Sequence, residues 1–268
     1  MEPQFYKGNR DAFMEKLEPG SLALFFSGSP VRKTADEDYG YFANRNFVYL
    51  TGMEQKDTVL MMEKDASGYR ETLFILPPNL IEERWTGSRM KPEEIEAVSM
   101  ISSFAYKETF EEELKKVLTS GRIQKVYLDI DRMEGQVVVS AADSMEAFLK
   151  QEYPSMPIEN SLPIMKMLRL IKKPCEIRAM EKAQEITKAG ILAMMTHSKP
   201  GMYEYQYKAE YDYALAQHGV LEAGFPAIIS AGKNNFCIHY YGYRGQAMDG
   251  DIVLNDVGVR WDNELTDV

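Results

Sequence analysis

Short apolar runs alternate with helix-type stretches over the first ~165 residues, the pattern of an α/β layer fold. Leu22-Ala23-Leu24-Phe25-Phe26 follows Pro19-Gly20 and reads as a strand. Phe47-Val48-Tyr49-Leu50, closed by Thr51-Gly52, reads as another. Runs at 58–62 and 72–76 flank Ala66-Ser67-Gly68, which predicts a hairpin. Pro92, Glu93 and Glu94 open a helix, because proline suits the first turn and acids suit its dipole. Further helices are expected at 109–118 and 141–151, with a strand at 125–129.

The texture changes after residues 154–163, where proline, asparagine and serine cluster. Pro174 and Glu176 open a long helix, along which Ile177, Met180, Ala183, Ile186, Gly190 and Ala193 recur every three or four residues. Pro200-Gly201 stops it. A second helix is expected at 204–217. Strand-like runs follow at Ala227-Ile228-Ile229, Phe236-Cys237-Ile238 and Ile252-Val253-Leu254. The expected domains are therefore 1–160 and 161–268.

Composition narrows the chemistry. The 268 residues carry 41 acidic and 31 basic side chains, a net charge of −10. That balance disfavours a nucleic acid or an anionic membrane as partner. No apolar run reaches the ~20 residues of a spanning helix, and no signal peptide is visible at Met1-Glu2-Pro3-Gln4. Two distant cysteines, Cys175 and Cys237, make no disulfide framework, so a cytoplasmic setting is expected. With only three histidines, a zinc site of His and Cys is nearly excluded. Metal chemistry here must lean on carboxylates, which favour harder ions.

Asp256 and Asp267 are the carboxylates to weigh, eleven residues apart. Asp256 ends an apolar strand, and Trp261-Asp262-Asn263-Glu264 offers a turn. A reversal near Asp262 puts the two carboxylates almost opposite each other, allowing a one-residue bulge. Like charges ~5 Å apart repel, so they need water, a shared proton or a cation. On spacing alone, two solvated turn aspartates are the commoner outcome. His239, beside Tyr240 and Tyr241, is by itself more often structural than catalytic; its functional reading is a donor beside a reacting carbonyl.

Motif order sharpens this. GDIVLNDVG with ELTDV resembles the first metal-binding stretch of the pita-bread metallopeptidases. CIHYYGY resembles their His-Tyr segment, and LIKKPCEIRAMEKAQEITKAG the entry to their catalytic domain. NRNFVYLTGMEQKDTVLMM and ERWTGSR resemble the N-terminal domain of aminopeptidase P and prolidase. The resemblance implies an α/β (α+β) chain with an N-terminal mixed-sheet, creatinase-like domain and an incomplete pita-bread catalytic domain. It implies a Xaa-Pro aminopeptidase acting on peptides with proline in second position, with prolidase as the alternative. It further implies two divalent ions, manganese by expectation, activating a water. Asp256 would ligate one ion, Asp267 would bridge both, and His239 would stabilise the tetrahedral intermediate. Trp85 resembles a residue that reaches a neighbouring subunit's site in some oligomeric relatives, so the full-length parent is expected to be a homo-oligomer; an anchor packed under its own domain is the other reading of Trp85.

There is one departure. The family's site also uses a histidine and two glutamates from later strands, and Val268 directly follows Asp267. His197 and His218 match no ligand position. This chain alone is therefore expected to bind metal weakly and to have no peptidase activity. A metal-free peptide- or protein-binding module is the remaining alternative, against which the presence of both aspartates argues. The N-terminal domain could also act as an assembly element that shapes access to the site.

Overall fold

The strand at 22–26 forms as β1 (Ser21–Phe26) of the computed structural model, which describes residues 1–135 and 138–268. Ser21 through Phe25 are all buried, so helices cover both faces of the sheet at this strand. The chain divides into two units, Glu2–Ile171 and Lys172–Val268, the latter clustering with Met1.

The first unit starts with α1 (Pro3–Glu15), followed by β1, β2 (Arg32–Thr34), β3 (Glu37–Asp38) and α2 (Arg45–Thr51). Next come β4 (Val59–Asp65), β5 (Gly68–Ile75), α3 (Leu80–Thr86), α4 (Pro92–Ser99) and β6 (Phe104–Tyr106). It closes with α5 (Phe110–Thr119), β7 (Lys125–Leu128), α6 (Ala141–Glu152), β8 (Ile158–Asn160) and α7 (Leu162–Leu170). Six strands make one mixed sheet in the order β6-β5-β4-β1-β7-β8. β4 runs antiparallel to β1 and β5, whereas β1, β7 and β8 are parallel neighbours. Leu22 and Leu24 face a core built with Phe110 and Leu114 of α5 and Leu149 of α6. Phe25, on the opposite face, meets Phe13 of α1 edge-on at 5.1 Å.

The run at 47–50 is not a strand. It lies in α2, where Asn44 caps the N-terminus by accepting from the Phe47 N–H at 2.8 Å, and Gly52 ends it in the left-handed region at φ 73°. Asn46 through Thr51 are all buried, so no face is polar enough to show a helical period. α1, α3 and α7 were not expected from the sequence pattern.

The second unit holds α8 (Pro174–His197), β9 (Met202–Tyr203), α9 (Glu204–Gln217), β10 (Ile228–Ala231), β11 (Gln246–Ala247) and β12 (Val253–Asp256). A two-strand hairpin, β13 (Arg260–Trp261) and β14 (Glu264–Leu265), follows. Both helices match the expected spans. α8 and α9 cross at Gly190, where a Cβ would overlap the ring of fully buried Tyr211. The run at 236–238 is not a strand: a 3₁₀ turn (Gly232–Phe236) leads into open chain, with Phe236 92% and Ile238 83% exposed.

Candidate metal centre

Asp256 is the last residue of β12, paired across from Ile228 of β10. Beyond it the chain makes the expected reversal. Asp262 (φ 52°) and Asn263 (φ 74°) form a two-residue turn of the primed type, which short-polar side chains tolerate. Trp261 pairs with Glu264, and Arg260 with Leu265. Val257 and Val268 exchange both backbone hydrogen bonds at 3.0 and 3.1 Å. This register has no bulge, so Asp267 lies opposite Gly258 and diagonal to Asp256.

The two aspartates are therefore not directly opposed, but they do share one face of the ladder. Diagonal neighbours sit ~7–8 Å apart, a spacing that side chains of this length can close onto a common ion. The other face carries Val257, Val259, Glu264 and Thr266, all buried. Its valines belong to the core with Ala183 and Ile186 of α8. A buried contact pins the hairpin further: the Thr187 and Thr266 hydroxyls lie 2.7 Å apart. Thr266 Oγ1 also accepts from the Val259 N–H at 3.0 Å. Opposite Asp267, glycine is required, because a Cβ at Gly258 would overlap the Thr266 carbonyl and the Phe225 ring.

Glu264 adds an electrostatic feature. Burial raises its carboxyl above the usual range, Lys172 at 3.4 Å lowers it, and Glu176 raises it again. Glu176 is fully buried; its Oε2 accepts from the Lys173 N–H, and its Oε1 has no donor partner among the described residues. A protonated Glu264 supplies that donor. A raised folded-state value contributes stability that is complete below the unfolded value and lost as pH rises through the folded one. Glu264→Gln provides the donor at every pH. It also loses the partly exposed Lys172 pair, which is worth only about 0–1 kcal/mol. Thermal melts should therefore show the variant equal to wild type near pH 4, about the unperturbed glutamate value, and more stable in mild alkali. An equal offset at both would contradict the proton-sharing pair.

His239 is exposed and stacks on Tyr241, ring centroids 6.2 Å apart and 23° between planes. No described hydrogen bond joins it to either aspartate. Its loop is held by Glu204, the first residue of α9. The buried Glu204 carboxylate accepts from the Ala231 N–H (2.8 Å), Asn234 Nδ2 (2.8 Å) and the Gly245 N–H (2.7 Å). Asn234 Nδ2 also donates to the Tyr240 hydroxyl at 3.0 Å. Burial would raise the Glu204 carboxyl, but its hydrogen bonds outweigh burial and hold it below the usual range. A Cβ at Gly245 would overlap this carboxylate. In sequence Glu204 looks like any acid in a first helical turn, and nothing marks it as the anchor of residues 231–245.

Trp85, on α3, is 84% exposed, so it is not an anchor packed under its own domain. Leu80 and Ile81 are exposed beside it, while Glu82 pairs with Lys56 and Arg89. No group of three or more His, Cys, Asp or Glu that could hold a metal occurs among the described residues. The hairpin thus fits a divalent ion in part: it offers two hard oxygen donors, and the rest of a coordination shell must come from elsewhere. No helix among the described residues is long and apolar enough to cross a membrane.

Residues 6–127 match the family model for the aminopeptidase P N-terminal domain, and residues 178–268 match metallopeptidase family M24. This chain joins an aminopeptidase P N-terminal domain to an M24 metallopeptidase stretch. The Xaa-Pro aminopeptidase of Escherichia coli (strain K12) is 28% identical over 275 residues, covering 99% of this chain and 60% of that protein. The structure superposes on a candidate aminopeptidase P from Bacillus anthracis with a TM-score of 0.95 and 30% identity, covering 100% of this chain and 64% of that one. Zinc-substituted E. coli aminopeptidase P in complex with product gives a TM-score of 0.88 at 26% identity, with 61% of that chain covered. The M24 stretch thus lies on a chain spanning about 60% of the length of these relatives.

Proposed function

We propose that this chain supplies the N-terminal domain and two metal ligands of a Xaa-Pro aminopeptidase. The observation that carries the reading is the unbulged hairpin that sets Asp256 and Asp267 on one face while burying Val257, Val259 and Thr266 on the other. The relatives named above are aminopeptidases, which supports that reading over a dipeptidase.

Asp256 and Asp267 would hold the ions, and manganese suits their oxygen donors. A pair of such ions supplies an activated water and polarises the scissile carbonyl. His239, on a loop fixed by Glu204, would donate to the oxygen that gains charge when the peptide bond is attacked. The substrate would be a peptide with proline second. Trp85, exposed with Leu80 and Ile81, would serve contacts between copies in a homo-oligomeric whole enzyme. The two free cysteines suit a reducing, cytoplasmic compartment. The 268 residues by themselves would be inactive, because two aspartates hold only part of a cation's shell.

The test is a chimera in which this chain is continued by the part of the E. coli enzyme beyond the matched span. With manganese it should cleave a Xaa-Pro peptide. Asp256→Asn and Asp267→Asn should each abolish cleavage, and His239→Ala should lower kcat by about 10²–10³, as loss of an oxyanion donor does. A folded chimera whose activity survives both aspartate changes would sink the proposal. So would chelator-sensitive cleavage by the 268-residue chain alone, as far as its inactivity is concerned.

A further inference from the structure

The first unit contains a cleft that the metal centre does not use. The cleft lies where β1 ends at Phe26 and its antiparallel neighbour β4 begins at Val59. Helices α5 and α6 close its other walls. It has a volume of about 510 Å³, within the range of small-molecule sites. Phe26, the last residue of β1, lies in its wall, with Gly28 and Ser29 just beyond.

Two kinds of surface meet in the cleft. Phe26, Phe110, Leu114, Met145 and Phe148 form an apolar side. Lys107, Asp57 and Glu111 form a charged side. The Lys107 ammonium lies 4.5 Å over the face of Phe110, and it has no hydrogen bond or ion pair among the described residues. Asp57 accepts from the Ser29 hydroxyl, which leaves acceptor capacity on its carboxylate. Burial lowers the Lys107 ammonium from its usual value, and the charges of Glu111 and Asp57 only partly oppose this. A half-buried cation without a close anion gains from one delivered by a ligand.

A carboxylate alone would meet repulsion from Asp57 and Glu111, and an amine alone would meet it from Lys107. A ligand bearing both charges and an apolar tail satisfies the charged side and the apolar side together. We propose that this cleft binds a free α-amino acid with an apolar side chain, its carboxylate on Lys107, its ammonium toward Asp57 and Glu111, and its side chain between Phe26, Phe110 and Met145. The proposal rests on the first unit alone and is independent of the reading of the metal centre.

Titration calorimetry of the 268-residue protein with L-phenylalanine tests it. Three probes each remove one feature: 2-phenylethylamine the carboxylate, 3-phenylpropanoate the ammonium, and glycine the side chain. L-Phenylalanine should bind saturably, and each probe should bind about tenfold more weakly or worse. Lys107→Met keeps the stem over Phe110, and Asp57→Asn keeps a residue that tolerates the left-handed backbone at φ 55°. Each should weaken L-phenylalanine about tenfold or more while leaving the melting temperature in place. Absence of saturable binding to wild type would overturn the proposal, as would probes that bind as well as L-phenylalanine. If a variant fails to fold, the probe series on wild type decides.

Discussion

Arg10→Ala should cost about 3–5 kcal/mol of stability, the range for removing one partner of a buried ion pair. Arg10 sits in α1 and is fully buried. Its guanidinium donates Nε and Nη2 to the two Glu71 oxygens at 2.7 and 3.0 Å, reaching from α1 to β5. Nη1 also donates to the Leu50 carbonyl at 2.8 Å, and Nη2 to the Ser99 carbonyl at 2.9 Å. Those carbonyls lie near the ends of α2 and α4, so one side chain ties three helices to β5. Alanine leaves a mostly buried carboxylate and two carbonyls without donors, and a void besides. Denaturant melts should show the loss, and Arg10→Lys should recover little, because an ammonium cannot make the bidentate contact. A change below ~1 kcal/mol would mean that water replaces the guanidinium freely.

Glu204→Ala should cost about 2–5 kcal/mol, because it strands the buried Ala231 N–H at ~1–3 kcal/mol and the part-buried Gly245 N–H and Asn234 amide for less. The sign with pH follows from the depressed carboxyl. A lowered folded-state value gives stability that is present above the unfolded value and lost as pH falls through the folded one. Wild type should therefore lose stability below about pH 4.5, near the unperturbed glutamate value, faster than the variant does. The more diagnostic readout is local. Amide exchange at Ala231 and Gly245, and through the loop carrying His239, should rise in the variant well beyond what global destabilisation explains. Unchanged exchange in residues 231–245 would remove Glu204 from its positioning role.

What could be read from the sequence follows from where each signal lies. Pro174 and Pro200-Gly201 bracket α8, because proline and glycine act on the backbone whatever packs around them. The hairpin of β4 and β5 was legible from the turn between two runs of strand-type residues. The run Phe47-Val48-Tyr49-Leu50 was misread because four apolar residues carry no period; the caps Asn44 and Gly52 held the information. Phe236 and Ile238 misled in the opposite way. They are apolar yet exposed, so a rule that equates apolar runs with buried strands fails for them.

For the candidate site, the reversal at Asp262 was legible from its turn residues, and with it the placing of the two aspartates on neighbouring strands of one ladder. Their two-position offset was not, because it depends on whether the turn holds two residues or carries a bulge. Glu204 and the Glu176–Glu264 pair were not legible either. Both join residues dozens of positions apart, and their meaning exists only once α8, α9 and the hairpin have packed.

The most direct test of the central claim is manganese titration of the 268-residue protein, followed by the paramagnetic resonance of the free ion. The account predicts weak, saturable binding to wild type that disappears in both Asp256→Asn and Asp267→Asn while each variant keeps the wild-type fold by circular dichroism. Binding that is unchanged in either folded variant would contradict the assignment of these two aspartates as one metal-holding face.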